Sequence, residues 1–394
     1  MHESSPPVPA DFVLFEGGPF DQFWQHWRLA MPLVESLERR VVVISTVAWL
    51  PLLLLSLVGG LAFTGVPVPF LYDVQAQSRF LVALPLLLVA ERVAHRVLTP
   101  SLALFWERGI IRTGDRARFT AILASASRWN HSLILRILLL AIVLVVGHRI
   151  WLEESMIRTA TWYGESTASG LKLTLPGYWY AWVAIPIFQF VQVRWYCRMV
   201  LWGILLARVS RLDLHLVATH PDRSGGLGFL GTKLYAFVPL LFGLGAFFSG
   251  FLLNRILHDE GRLLTFWPEI VAQVGFTLVL VLGPLAVFLP RLIAAKRQGK
   301  SEYGHVANRY VREFEDKWVR GGVPAGETLV GSADVQSLAD MGNSYDIVTR
   351  MRPLPFGRDE ILLVIGAIVL PMLPLLLTVF SVQEILQTLL HMIL

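Results

Sequence analysis

Long apolar stretches dominate the pattern along this chain. Seven of them reach the roughly 20 helical residues that cross a hydrocarbon core. They fall at residues 41–63, 79–99, 132–152, 178–207, 227–257, 270–295 and 360–381. Pro371 and Pro374 each remove a backbone donor from the last stretch, so six spans followed by a re-entrant segment are the alternative. The pattern predicts an all-α, polytopic transmembrane helix bundle.

The polar segments between these stretches predict the domain organisation. An N-terminal cytoplasmic segment, 1–40, ends in an amphipathic pattern at 21–40 that is typical of a helix lying on the membrane surface. A six-span core follows at 41–295. Residues 296–359 read as two helices separated by the breaker GGVPAG, which predicts a small helical cytoplasmic cap. The seventh span and a short C-terminal tail make up 360–394.

The composition agrees with a membrane protein. Of 394 residues, 55% are hydrophobic and only 16% are charged, and the mean hydropathy is +0.58. These values fit a polytopic membrane chain better than a set of soluble domains. The one cysteine, Cys197, excludes an intramolecular disulfide framework and any CxxC-type zinc or redox site.

Lysine and arginine are unequally distributed among the connecting segments. If the N-terminus is cytoplasmic, 22 of them fall in inside segments and 3 in outside segments. This bias predicts an integral protein of the bacterial inner membrane with its N-terminus in the cytoplasm. Because the basic residues cluster around apolar spans instead of forming a soluble basic stripe, the pI near 9.5 does not indicate nucleic-acid binding.

Charged residues inside predicted spans are candidates for function, because they are costly in lipid. The second span carries Glu91, Arg92 and His95 in the stretch VAERVAHRV. Glu91 and His95 lie one helical turn apart, which predicts a pair that takes up or releases a proton and couples or gates transport. The alternative is a satisfied structural pair.

Further basic residues fall in the same halves of neighbouring spans. Arg194 and Arg198 share a face of the fourth span, and Lys233 lies near the start of the fifth. Together with Arg92 they predict a basic vestibule at one depth that binds an anion or a phosphate. Snorkelling of the side chains to lipid phosphates is the alternative.

The stretch HPDRSGGLG precedes the fifth span and supports two interpretations. In the first, Asp222 caps the following helix, and Gly225 and Gly226 supply left-handed backbone. In the second, free N–H groups beside Arg223 form a cradle for an anion or phosphate. His220 and Asp222 are the alternative candidates for a general base.

The sequence gives no catalytic signature. The stretch lacks the GxxxxGK[ST] spacing of a P-loop, and Ser224 lacks the GxSxG spacing of a nucleophile. A metal site at His215, His220 and Asp222 lacks a fourth ligand, so no metal and no cofactor are predicted. The sequence therefore favours a function other than catalysis.

Three functions follow from these residues. The first is a channel or transporter whose basic cytoplasmic vestibule conducts or moves a small anion, gated by protons. The second is a membrane enzyme that acts on a phosphorylated lipid or polyprenyl phosphate, with His220 or Asp222 as the base. The third is a non-catalytic membrane scaffold or signalling component. Membrane lipids are expected partners, and a homo-oligomer is compatible with all three.

Overall fold

The secondary structure is helical apart from one small β-hairpin. A computed structural model describes residues 37–156, 160–167, 170–258 and 261–379, together with Phe12, Leu14 and Phe15. The predicted all-α class is confirmed within these ranges. Most of the predicted surface helix at 21–40, and the tail beyond residue 379, lie outside the described residues.

The first half of the described chain contains six helices and the β-hairpin. The helices are α1 (Leu37–Val58), α2 (Val74–Gln77), α3 (Leu84–Glu107), α4 (Arg116–His131), α5 (Leu133–Ala141) and α6 (His148–Met156). π-helical turns at Ser78–Ala83 and Ile142–Gly147 join α2 to α3 and α5 to α6. The antiparallel strands are β1 (Gly164–Thr167) and β2 (Gly170–Leu173), with Gly164 opposite Leu173.

The regular elements in the second half of the described chain are helices, connected by loops. It comprises α7 (Leu175–Trp179), a π turn (Tyr180–Ala184), α8 (Ile185–Val209), α9 (Gly228–Thr232), α10 (Val238–His258), α11 (Trp267–Ala286), α12 (Leu289–Phe314), α13 (Ala333–Thr349) and α14 (Arg358–Val369). Three-residue-per-turn helices precede α10 at Leu234–Phe237 and follow α14 at Leu370–Thr378. The change at Leu370 comes directly before Pro371, which lacks the N–H that an α-helix needs.

Five helical segments of the described chain are long and apolar enough to cross a membrane, consistent with an integral membrane protein. They are Glu38–Val58, Leu133–Glu153, Gly228–His258, Leu263–Ala286 and Arg358–Thr378. The other two predicted spans correspond to α3 and α8, which are helices of sufficient length. Charged side chains within α3 and α8 make them more polar, so a count of seven spans stays a prediction.

The central helix of the bundle is α10. It packs against α3, α14 and the π turn at Ser78–Ala83. A Cβ atom at Gly245 would collide with the carbonyl oxygen of Ile368, and one at Gly250 would collide with the Ser78 side chain. The small residues of α10 therefore allow close approach of helices within one chain.

Segments that were predicted to share a side of the membrane meet in the structure. Ile111 pairs with Leu214, both from predicted inside segments, and we call this the glycine-loop end. Val68 pairs with Thr161, both from predicted outside segments, at the opposite, hairpin end. The helices thus run between two distinct ends, as the predicted topology requires.

A long helical hairpin extends from the glycine-loop end. α12 and α13 pack antiparallel, with the Tyr310 hydroxyl donating to Asp334 O at 3.0 Å. Ser332 caps α13 by accepting from the Asp334 N–H. α11 ends at Ala286 and α12 begins at Leu289, so the helix boundary lies before the predicted limit of residue 295.

The few described residues near the N-terminus contribute to the core. Phe12, Leu14 and Phe15 are all buried. The Phe15 ring lies 5.7 Å from the Trp202 ring of α8 and 6.1 Å from the Phe237 ring, centroid to centroid. These three residues of the predicted N-terminal cytoplasmic segment, which precede the predicted surface helix, therefore pack inside the bundle.

Candidate functional site

Three charged side chains meet inside the bundle between α3 and α8. Glu91 Oε1 accepts a hydrogen bond from Arg194 Nη2, and Arg198 Nη1 lies 3.1 Å from the same oxygen. The three residues are 9%, 7% and 1% exposed, respectively. We call them the buried arginine cluster. Two guanidinium groups and one carboxylate give it a net charge of one positive unit.

Some hydrogen-bond donors of the buried arginine cluster have no acceptor among the described residues. Nε and Nη1 of Arg194 are buried and have no hydrogen-bond partner among the described residues. The surroundings hold the side chain in place, since Trp195 Nε1 donates to Leu87 O at 2.9 Å and fixes α8 against α3. The Phe190 ring lies 5.9 Å from the Arg194 guanidinium carbon. Buried donors without a partner are uncommon in proteins and require an explanation.

In this geometry Glu91 contacts two arginines of α8, and a role for Glu91 and His95 in proton coupling stays a prediction. Among the described residues, the polar contacts of Glu91 are with the two arginines, because α8 brings them across from a neighbouring helix. His95 Nδ1 lies instead 3.2 Å from Thr99 Oγ1, one turn further along α3. Arg92 is half-buried.

The glycine loop, residues 219–228, lies at a different depth from the buried arginine cluster. Phe105 of α3 packs against Phe229 at 5.2 Å between ring centroids, and His215 N donates to Ile110 O at 2.8 Å. Fourteen helical residues separate Glu91 from Phe105, which corresponds to about 21 Å along α3. The sequence predicts one basic vestibule, but the structure has two separate regions, the buried arginine cluster and the glycine loop.

The carboxylate of Asp222 fills the glycine loop from inside. Its Oδ1 accepts from Ser224 N at 2.8 Å and from Gly226 N at 3.2 Å, and its Oδ2 accepts from Gly228 N at 2.8 Å. Left-handed backbone at Arg223, with φ of 54°, turns these N–H groups toward the carboxylate. The sequence interpretation offered these backbone N–H groups as a cradle for an external anion. In the structure the Asp222 carboxylate occupies that cradle, because it lies within hydrogen-bond distance of the three amides.

Gly225 and Gly226 serve the packing of this loop. Both have positive φ, 63° and 98°. Gly225 lies against Met351 and Leu216, and Val217 N donates to Gly225 O at 3.3 Å. The interpretation in which these glycines supply left-handed backbone accounts for these conformations and contacts.

His220 forms a dyad with Asp222. Its Nδ1 lies 2.9 Å from Asp222 Oδ1 and 3.2 Å from Asp222 N, so the tautomer decides whether the ring donates to the carboxylate or accepts from the amide. About a third of the His220 side chain is exposed. A histidine oriented by a fixed carboxylate is the geometry of a general base.

The remaining predicted basic residues lie apart from the buried arginine cluster. The Arg223 side chain is exposed. Lys233 follows α9, and its ammonium lies 5.8 Å from the centroid of the Tyr235 ring. Neither residue forms an ion pair with Glu91, whereas Arg194 and Arg198 do.

The sequence analysis did not single out Arg79, which the structure buries to 5% exposure. Its Nη1 donates to the Tyr180 hydroxyl at 2.7 Å, and its guanidinium carbon lies 5.2 Å from the Phe247 ring. Within the described residues no carboxylate lies within ion-pair distance of it. The signal was its position at the start of the apolar run RFLVALPLLLVA, where a charge needs a partner.

The described chain offers no obvious metal site, since no three of its His, Cys, Asp or Glu side chains are grouped so that they could hold an ion. Comparisons of the chain with protein-family models, curated proteins and solved structures gave no match. The buried arginine cluster and the glycine loop are therefore the two regions that bear on function.

Proposed function

We propose that this protein is an integral membrane channel or transporter that moves a small anion through the buried arginine cluster. One observation carries the proposal: Arg194 has two buried donors that no described residue accepts from, in a cluster with a net positive charge. An uncompensated charge inside a membrane protein is expensive, and a bound anion would offset that cost.

The charge of the cluster indicates which anions fit. Glu91 neutralises one of the two guanidinium groups, so one positive unit is left for a ligand. A monovalent anion such as chloride or nitrate would neutralise it, whereas a divalent phosphate would leave an excess negative charge in a low-dielectric site. We therefore expect monovalent anions to be preferred.

The proposed orientation has the glycine-loop end in the cytoplasm of a bacterial inner membrane, with seven spans and the N-terminus inside. Its support is the concentration of Lys and Arg in the segments that form this end. The hairpin of α12 and α13 would then cover the cytoplasmic entrance. Its base is fixed there, since Lys296 Nζ donates to Met351 O at 2.6 Å and Arg352 N donates to Arg223 O at 2.6 Å.

Anion flux from proteoliposomes tests the proposal. Wild type, Arg194→Gln and Lys233→Gln would be compared at matched insertion with chloride, nitrate and phosphate, each at two pH values. We expect Arg194→Gln to reduce flux at least about tenfold, the effect of losing roughly 1.4 kcal/mol of binding at one step. Lys233→Gln is expected to have a smaller effect, because Lys233 lies outside the cluster.

Arg211→Gln provides a matched control, since Arg211 is exposed at the end of α8. The proposal is overturned if wild type is silent with every anion, or if Arg194→Gln and Arg211→Gln reduce flux equally. A silent wild type whose charge variants change assembly instead would favour a membrane scaffold.

The His220–Asp222 dyad supports a second candidate function, an enzyme acting on a phosphorylated lipid or polyprenyl phosphate. Its support is the 2.9 Å contact between His220 Nδ1 and a carboxylate fixed by three backbone amides. A base oriented in this way can activate water or a hydroxyl group.

Phosphate release from short-chain polyprenyl phosphates tests this second candidate. We expect His220→Gln to abolish any release that wild type shows, while His215→Gln, a nearby histidine in the same loop region, leaves it unchanged. Equal rates for wild type and His220→Gln would rule the dyad out as the catalytic base.

A further inference from the structure

An apolar groove of about 280 Å³ lies between α4, α5 and α8. α4 contributes Ile122, Ala126 and Trp129, and α8 contributes Cys197 and Ile204. Arg208, near the last turn of α8, is the one charged residue of this lining. The groove is therefore apolar along its length and basic at one rim.

The groove is open sideways, toward the surface that the lipid would cover. The side chains of Trp129, Val200 and Ile204 line it and are 55%, 59% and 44% exposed. Val200 and Ile204 belong to the predicted fourth span, where exposed apolar side chains face hydrocarbon, and Trp129 lies three residues before the predicted third span. A lipid chain can therefore enter the groove without crossing the protein.

The length of the groove matches one leaflet of a bilayer. Along α8, eleven residues separate Cys197 from Arg208, which corresponds to about 16 Å at 1.5 Å per residue. Half of a hydrocarbon core of about 30 Å is about 15 Å. A chain that begins at Arg208 would therefore end near the middle of the bilayer, beside Cys197.

The rim has the chemistry of a headgroup site. Arg208 is exposed, and its Nη1 donates to Ser125 Oγ at 3.0 Å, which holds the guanidinium over the end of the groove. Its remaining donors contact no acceptor among the residues that the structure describes, and arginine forms strong, charge-assisted bonds to phosphate oxygens. Basic residues at such a position between membrane helices favour anionic lipids.

We propose that this groove binds one acyl chain of an anionic glycerophospholipid, with the lipid phosphate on Arg208. The site is distinct from the buried arginine cluster and requires no transport activity. The bound lipid fills the space between α4 and α8, and thereby supports the helix that carries Arg194 and Arg198.

Thiol labelling tests the proposal, because Cys197 is the sole cysteine of the chain and lines the groove. The full-length protein would be placed in nanodiscs of phosphatidylglycerol or of phosphatidylcholine and treated with a membrane-permeant maleimide. We expect labelling to be several-fold slower in phosphatidylglycerol. Arg208→Gln should remove this difference, while Arg211→Gln, at a neighbouring exposed arginine, should keep it.

A second pair of variants separates the groove from the headgroup contact. Ala126→Phe fills the groove, whereas Ala121→Phe adds the same side chain at an exposed position of α4. Native mass spectrometry of protein with added phosphatidylglycerol should show bound lipid for wild type and Ala121→Phe, and little for Ala126→Phe. Equal labelling rates in the two lipids, or equal lipid binding by both alanine variants, would overturn the proposal.

Discussion

Two carboxylates of this protein, those of Glu91 and Asp222, differ in whether they satisfy the hydrogen-bond donors around them. Glu91 lies between two buried guanidinium groups, and two donors of Arg194 have no acceptor in the described part of the chain. Asp222 accepts from three backbone amides of its own loop and fills the cradle that they form. The difference lies in the balance of hydrogen bonds: donors of the buried arginine cluster are left over, whereas the amides of the glycine loop are matched by Asp222.

The largest expected effect comes from removing the charge of Glu91. Glu91→Gln leaves two buried guanidinium groups without a counter-ion, so we expect the free energy of unfolding to fall by about 3–5 kcal/mol. Thermal unfolding in detergent measures it, with Glu107→Gln, an exposed residue of α3, as the control. Added nitrate should restore part of the loss, and stability equal to that of Glu107→Gln would contradict the comparison.

Removing the carboxylate of Asp222 should leave the backbone amides of the glycine loop open to an external anion. Asp222→Ala leaves three amides without an acceptor, two of them on buried residues, and we expect a loss of about 3 kcal/mol at roughly 1–3 kcal/mol for each buried group. Sulfate should stabilise this variant more than wild type, because the empty cradle can then take an external anion. Asp213→Ala, which removes an exposed ion pair with Arg112, is the control. Equal stabilisation of wild type by sulfate would show that the cradle is not closed by Asp222.

Arg79 extends the comparison to a buried cation that has no carboxylate within ion-pair distance among the described residues. Tyr180→Phe removes the acceptor of its Nη1, and we expect a loss of about 1.5–3 kcal/mol, as for hydrogen bonds to charged groups. The variant Tyr178→Phe, at an exposed tyrosine two residues earlier, should be neutral in the same unfolding measurement. If both variants unfold alike, the aromatic rings alone stabilise the Arg79 guanidinium.

The smallest effect is expected where the charges are exposed, at the turn of the helical hairpin. A hydrogen bond to Glu327, and then one to Asp334, raises the pKa of Lys317 above its ordinary 10.5. The bond from Lys317 lowers the pKa of Asp334 below its ordinary 3.8. These contacts therefore stabilise the turn at pH values between the lowered pKa of Asp334 and the raised pKa of Lys317. Their contribution is lost as pH falls through the lowered pKa of Asp334 or rises through the raised pKa of Lys317.

Hydrogen exchange of residues 315–335, corrected for its intrinsic pH dependence, measures this effect. Protection should be lower at about pH 3 than at about pH 7, where the Asp334 carboxylate is charged. Asp334→Asn should remove most of the difference, while Asp346→Asn, in an exposed pair with Arg350, should not. Unchanged exchange in Asp334→Asn would mean that packing alone holds the turn.

The sequence was sufficient to predict the helical class and the location of the five apolar helical segments, because these follow from local composition and spacing. It also singled out Glu91, Arg194 and Arg198 as charges within apolar stretches. It could not predict that Arg194, and not His95, pairs with Glu91. That choice depends on how α3 and α8 pack, which no local pattern encodes.

Two further features escaped the sequence interpretation for physical reasons. The π turn at Ser78–Ala83 adds a residue to the helix, so a helical wheel drawn across it is wrong by about 100°. Asp222 reaches its three amides only because Arg223 adopts a left-handed conformation, which non-glycine residues seldom do. Both are deviations from ideal geometry, and periodicity assumes ideal geometry.

The bond from Arg352 N to Arg223 O has a consequence for biosynthesis. The two residues are far apart in the chain, and the ribosome must complete the whole helical hairpin before Arg352 emerges. Arg291, whose Nε donates to Ser210 O at 3.0 Å, likewise follows α8 by a long interval. The glycine-loop end is therefore assembled late in translation, after the apolar helices that precede it have been made.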